Sequence, residues 1–200
     1  MEGHLFRGAH GVAGEVGHMV ILENGPECSC GRWGCFETLT STRALFRRAG
    51  ARRPDFVPSL SVHDIYQAAE AQESWACEAI QETLHYVKRG VVNSANMLDV
   101  DAIFLGGPLS QLNEYLLDAV KDALDAELLV RDYRHPVVRL ATFKEEAGAV
   151  GAAALVLRDA LRRPRPGMAA AASSLSSVAS RTAIRESAAH LDALDRSGNL

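Results

Sequence analysis

The sequence has no apolar run that reaches the roughly 18–20 residues required for a membrane-spanning helix. Its first residues, MEGHLFRGAHG, lack the charged start and the apolar stretch of a signal peptide. No lysine- or arginine-rich stripe occurs, and the formal net charge is −4. These absences argue against a membrane partner and against nucleic-acid binding by this chain itself.

Cysteine is scarce and unevenly placed. Cys28, Cys30 and Cys35 fall within eight positions, whereas Cys77 stands alone in a predicted helix. Clustered thiols without a secretory signal indicate metal ligands in a reducing, cytoplasmic setting. His18 lies ten positions before the first of them and completes a Cys3His set, which is a usual ligand set for structural zinc. The sequence therefore predicts one zinc ion bound by His18, Cys28, Cys30 and Cys35; the alternative is cysteines that cluster by chance.

The residues between these cysteines suit a metal loop. Gly31 and Gly34 permit the sharp backbone path that would return Cys35 to the same point as Cys30. Three thiolates and a dication sum to a negative charge, so a nearby cation would stabilise the site, and Arg32 is a candidate.

Alternating strand and helix patterns predict an α/β fold. The predicted strands are 18–22, 101–105 and 137–141, and the predicted helices are 37–49, 61–72, 74–97, 110–128 and 145–161. Ser61 and Ser110 are expected to cap the second and fourth of these helices. After residue 162 the composition shifts to proline, alanine and serine. We therefore expect a domain over 1–162 and a mostly disordered tail over 163–200, with one weak helix near 180–195.

Four segments carry a resemblance to a known family: GEVGH at 14–18, CSCGRWGCFE at 28–37, IFLGG at 103–107 and AGAVGAA at 147–153. Together they resemble the ROK family, which joins bacterial repressors, open reading frames and sugar kinases, over residues 1 to about 160. The resemblance implies an actin-like ATPase (ribonuclease H-like) fold of two α/β lobes with a sugar between them. This chain would form mainly the C-terminal lobe.

The resemblance also implies roles for particular residues. Glu15, His18 and Glu37 would contact the hydroxyls of a monosaccharide or sugar derivative, since carboxylates and imidazoles accept hydrogen bonds from hydroxyls. Helix capping or plain surface charge is the alternative for the two glutamates. Gly106 and Gly107 would form the ATP-binding turn of the family's kinases, or else a plain strand-to-helix turn.

Two motifs of the family's kinases are missing from this sequence. The kinases carry an early Asp-x-Gly phosphate motif and a later Asn-Asp pair whose aspartate is the general base. Neither occurs in the fourteen residues before Glu15, and no Asn-Asp pair occurs elsewhere. We therefore assign no catalytic residue and expect that this chain is not an enzyme by itself. The helix-turn-helix domain of the family's repressors is also absent, so we expect a fragment of a longer protein that tends to form a homo-oligomer through its alanine-rich last helix.

Three functions follow from these expectations. The first is a non-catalytic, zinc-stabilised sugar-sensing domain of a ROK regulator of the xylose or N-acetylglucosamine repressor type, which would reach DNA only through a missing N-terminal domain. The segments ALFRRAG at 44–50 and LGGPL at 105–109 favour this reading. The second is the C-terminal lobe of a glucokinase-like sugar kinase that uses ATP and magnesium. The third is a zinc-stabilised interaction module without a ligand.

Overall fold

The computed structural model describes residues 5–53 and 61–162. The helices are α1 (Phe36–Thr40), α2 (Thr42–Arg52), α3 (Val62–Glu70), α4 (Ser74–Leu98), α5 (Glu114–Glu127) and α6 (Ala147–Arg162), and the strands are β1 (Ala102–Leu105) and β2 (Val137–Leu140). Short 3-10 helices cover Val16–His18, Pro108–Leu112 and Lys144–Glu146. The chain divides into two compact units after Gly148, and α6 begins at the end of the first unit.

The core of the first unit is built around α4. This helix has 25 residues, and α1, α2, α3 and α5 all pack against it. Small and branched residues recur along its length at three- and four-residue spacing, so one stripe of the helix is apolar. The buried members of this stripe include Ala76, Ala79, Ile80, Thr83, Leu84 and Val87. Helix α5 packs against it through Leu116, Val120 and Leu124.

Strands β1 and β2 pair in parallel, with Ala102 opposite Val137 and Leu105 opposite Leu140. Helix α5 makes the crossover between them, as parallel pairing requires. On the core side Val138 is buried, whereas Phe104 on the opposite face is 66% exposed. The described residues thus form the predicted α/β class, although their sheet has only this one pair. No helix within 5–53 and 61–162 combines the length and the apolar character needed to cross a bilayer.

Several predicted elements are confirmed. The helix predicted over 74–97 is α4, and the strands predicted near 101–105 and 137–141 are β1 and β2. Ser61 forms the predicted capping box of α3: its hydroxyl accepts from the Asp64 backbone N–H at 3.2 Å, and its own N–H donates to the Asp64 carboxylate at 2.7 Å. The tail at 163–200, with its predicted helix near 180–195, lies outside the described residues.

Other predictions were wrong. The segment 18–22 is not a strand, since His18 ends the 3-10 helix Val16–His18 and the residues after it make one isolated bridge, from Val20 to Cys35. The helix predicted over 37–49 is two helices, because Ser41 adopts an extended conformation and its hydroxyl caps α2. Ser110 caps no helix; it lies inside the 3-10 helix that Pro108 begins.

Candidate functional site

The four predicted metal ligands come together in space. The ligand atoms of His18, Cys28, Cys30 and Cys35 all lie within 4.8 Å of one another. The Sγ atoms of Cys30 and Cys35 are 3.7 Å apart, and Sγ of Cys28 is 3.5 Å from Nδ1 of His18. Tetrahedral zinc with Zn–S near 2.3 Å and Zn–N near 2.05 Å sets these separations at about 3.8 and 3.6 Å. The donor set and these two separations therefore fit a tetrahedral zinc ion.

Glycine makes this loop possible. A Cβ on Gly34 would lie 1.6 Å from the carbonyl oxygen of Leu22, and Gly34 has a φ of +70°. The Gly34 carbonyl accepts from the N–H groups of Ile21 and Leu22, at 2.9 and 3.2 Å. A Cβ on Gly25 would lie 2.7 Å from the α carbon of Gly34. The backbone around Leu22 to Gly25 therefore meets that of Gly34 without side chains between them. Cys35, the next residue, is buried beside this contact.

Glu37 lies directly against the ligand cluster. The thiol of Cys28 donates to Oε1 of Glu37 at 3.0 Å, and the same oxygen is 3.7 Å from Nδ1 of His18. A Cβ on Gly17 would make ordinary contact with the Glu37 side chain, at 3.5 Å from its Cβ. Glu15, which begins the turn before Gly17, is exposed. The Gly-Glu-x-Gly-His turn therefore runs beside the carboxylate of Glu37.

The thiols differ in acidity. The backbone N–H of Cys30 lowers the pKa of Cys28, but the bond to the Glu37 carboxylate, burial and the neighbouring thiols together raise that pKa to about 12. Hydrogen bonds from the side chain and backbone of Arg32 lower the pKa of Cys30 to about 6. Arg32 is thus the neighbouring cation that the sequence predicted. The surroundings of Cys30 therefore favour its thiolate form, whereas those of Cys28 favour the protonated thiol.

A cleft of about 670 Å³ opens beside Glu37. It is lined by Pro26, Glu27, Ser29, Glu37, Thr38, Ser41, Arg43 and Arg47. Hydroxyl, carboxylate and guanidinium groups lie beside apolar side-chain surface in this lining, so the cleft offers a ligand both polar and apolar contacts.

The predicted nucleotide turn lies after β1, away from the metal loop in the chain. Gly107 has a φ of +82°, its N–H donates to the carbonyl of Lys144 at 2.9 Å, and its carbonyl accepts from the Ser110 hydroxyl at 2.7 Å. A Cβ on Gly106 would sit 3.4 Å from the β carbons of Ala141 and Ala147. The structure therefore shows a tight strand-to-helix turn, which suits either alternative.

Sequence reasoning missed one contact of this site and the residues that hold it. The Cys28–Glu37 hydrogen bond joins residues nine positions apart, a separation that marks no regular element. Arg48 of α2 was not singled out either, because its partners Glu82 and Thr83 lie 34 and 35 positions further along the chain. Arg48 is one of four arginines in α2 and adjoins Arg47, so the sequence carries no signal that this arginine is the buried one.

Comparison with known proteins identifies relatives of two kinds. The ROK family model matches residues 1–159. A glucokinase of Halalkalibacterium halodurans is 30% identical over 167 residues, which are 78% of this chain and 51% of that protein. A xylose repressor of Caldicellulosiruptor bescii is 28% identical over 174 residues, which are 82% of this chain and 44% of that protein.

Solved structures show the same kinship. A ROK family glucokinase from Streptomyces griseus, in complex with glucose and AMPPNP, is 31% identical with a TM-score of 0.68 over 76% of this chain and 54% of that one. The chain spans about half the length of the curated relatives it matches.

Proposed function

This chain belongs to the ROK family, and we propose that it is the zinc-stabilised, sugar-sensing part of a ROK transcriptional regulator. The observation that carries the proposal is the contact of Glu37 with Cys28 and His18. In this contact a carboxylate, which can accept from sugar hydroxyls, lies at the edge of the cysteine and histidine cluster and of an open cleft.

His18, Cys28, Cys30 and Cys35 would hold the zinc ion. When bound, zinc supplies structural crosslinking of the loop and no redox chemistry. Nδ1 of His18 faces Cys28 and would be the metal ligand, so Nε2 is the nitrogen for a sugar hydroxyl. Loss of the Cys28 proton to solvent on metal binding would release Oε1 of Glu37 for a second hydroxyl. Glu15, on the adjoining turn, is the third proposed sugar contact.

The regulator assignment rests on two features. Relatives of this chain include a xylose repressor, and the segments ALFRRAG at 44–50 and LGGPL at 105–109 resemble the family's repressors more than its kinases. In this proposal a sugar shifts the population between two states of the whole regulator, and a separate domain binds DNA. This chain itself performs no catalysis.

A sugar kinase is the second candidate, and one observation favours it. The matched structure from Streptomyces griseus contains glucose and AMPPNP, and Gly106-Gly107 forms a turn at the end of β1 that could approach a phosphate. In that case the Asp-x-Gly and Asn-Asp motifs would come from another part of the protein, with ATP and magnesium as cofactors. The coding sequence upstream of Met1 separates the candidates: a helix-turn-helix indicates the regulator, and the two kinase motifs indicate the kinase.

Calorimetry tests sugar binding by this chain. Glucose, xylose and N-acetylglucosamine are titrated into zinc-loaded wild type, Glu37→Gln and the control Glu23→Gln, which changes an exposed glutamate of the same loop. We expect one of the sugars to bind wild type and the control equally. Loss of a charged hydrogen bond should weaken its binding to Glu37→Gln about tenfold or more. The absence of heat with every sugar, in protein that holds zinc, would refute the proposal and favour the interaction module.

A further inference from the structure

Helix α1 contains Glu37 of the candidate site, but it is too short to keep a fixed orientation without contacts to other elements. It has five residues, begins directly after Cys35 and contains Glu37 in its first turn. An isolated helix of this length has no stability in water. The direction of the Glu37 carboxylate and of the Cys35 thiol therefore depends on what holds the two ends of α1.

The C-terminal end of α1 is held by a buried arginine. Arg48, on α2, is 6% exposed, and its Nη1 donates to the carbonyl oxygen of Leu39 at 2.7 Å and to Oγ1 of Thr83 at 2.9 Å. Its Nε donates to Glu82 at 2.7 Å. Leu39 belongs to α1, whereas Thr83 and Glu82 belong to α4. One guanidinium group thus fixes the end of α1 to the long central helix.

The N-terminal end of α1 rests on α4 as well. The ring of Phe36, the first residue of α1, lies over Gly90, where an added Cβ would be 2.3 Å from the ring. Gly90 is two helical turns beyond Glu82 and Thr83 on α4. The central helix therefore contacts α1 at both ends, and Glu37 lies between these two contacts.

We infer that Arg48 is a positioning residue for the metal and sugar site, acting through the Leu39 carbonyl on Glu37 and Cys35. The inference rests on the proposed function, because it assigns Arg48 a role in the same site. Its planar fork of donors serves Leu39 and Glu82 together, and the compact ammonium of lysine does not reproduce that geometry. Replacement of Arg48 should therefore rotate or loosen α1 while the core remains folded.

Cobalt binding tests this role, because Co²⁺ takes cysteine and histidine ligands and reports their geometry in its visible spectrum. We compare wild type with Arg48→Lys and with the double variant Arg48→Met, Glu82→Met, which leaves no buried charge unpaired. We expect the Kd for Co²⁺ and the Kd for the sugar to rise about tenfold in both, as for other supporting residues around metal sites. The cobalt absorption bands should shift as well.

Two controls separate positioning from simple loss of stability. Val120→Ala opens a cavity in α5, and Glu82→Gln removes the ion pair but keeps the Arg48–Leu39 hydrogen bond. Both should lower the Tm without changing the cobalt spectrum or either Kd. Equal changes in Val120→Ala, or wild-type affinity and spectrum in the Arg48 variants, would overturn the inference, as would a wild type that takes up no cobalt. A wild type that binds cobalt but no sugar would refute the proposed function and still test Arg48.

Discussion

Gly90→Ala should destabilise the protein even though alanine favours helices. Gly90 lies inside α4, where the exchange gains roughly 1 kcal/mol of helix propensity. The new Cβ would, however, lie 2.3, 2.4 and 2.8 Å from three ring atoms of Phe36. Ordinary carbon contacts are about 3.5–4.0 Å, so the ring must retreat by more than about 1 Å. Overpacking of this kind costs about 1–3 kcal/mol, which leaves a net loss of up to about 2 kcal/mol.

Urea denaturation measures the free energy of unfolding of this variant against a matched control. Gly148→Ala makes the same exchange at a helical position where the added Cβ meets no described atom within 4 Å. The control should be neutral or stabilised by up to about 1 kcal/mol. A Gly90→Ala variant stabilised as much as this control would refute the packing of Phe36 on α4 that the reasoning assumes.

Three further predictions concern the cysteine cluster and the ion pair of Glu82. Cys30→Ser should lose the metal in elemental analysis, whereas Cys77→Ser, a change outside the cluster, should keep it; zinc retained by Cys30→Ser would contradict the ligand set. The pKa of Cys28 is about 12 and that of Cys30 is about 6, so metal binding near neutral pH must displace at least one proton. The affinity for zinc should therefore rise at least about tenfold per pH unit between about pH 7 and 9. A zinc affinity that calorimetry finds constant over this range would argue against the displaced proton. Burial raises the pKa of Glu82, but hydrogen bonds from Arg48 and Arg52 outweigh the effect of burial and lower that pKa. Its stabilising contribution is therefore full above the ordinary glutamate pKa near 4.3 and is lost as pH falls through the lowered value. The stability difference between wild type and Glu82→Gln should shrink below about pH 4, and a constant difference in urea titrations would count against the ion pair.

Helical spacing made the central scaffold predictable. The apolar stripe of α4 and the leucines of α5 repeat at three and four residues, and their tertiary burial agrees with that local signal. The cysteine spacing and the two loop glycines likewise led to a ligand set that the structure brings together. Local pattern and tertiary environment point the same way at these positions.

The same reasoning gave a wrong prediction for the segment 18–22, which is not a strand. Met19, Val20 and Ile21 have the β-branched and apolar character of a strand, yet they have no ladder to join. Instead, the N–H of Ile21 donates to the Gly34 carbonyl, and the Met19 carbonyl accepts from Phe36 at 2.7 Å. These partners lie at the end of the cysteine loop and at the start of α1, so the backbone here follows those contacts rather than its own β propensity.

Long-range side-chain contacts could not be read from the sequence. Arg48 meets Glu82 and Thr83 across 34 and 35 positions, and Glu37 meets Cys28 across a loop. No periodicity encodes such pairs, because they depend on how α1 and α2 are placed on α4. Position in the assembled fold, rather than residue type, gives Arg48 its proposed role.

X-ray absorption at the zinc edge tests the central claim most directly. Protein purified without chelator should contain one zinc ion per chain, with three sulfur ligands and one nitrogen ligand from His18 and the three clustered cysteines, at about 2.3 and 2.0–2.1 Å. Protein without stoichiometric metal, or zinc surrounded mainly by oxygen, would contradict the account of how Glu37 is presented to a sugar.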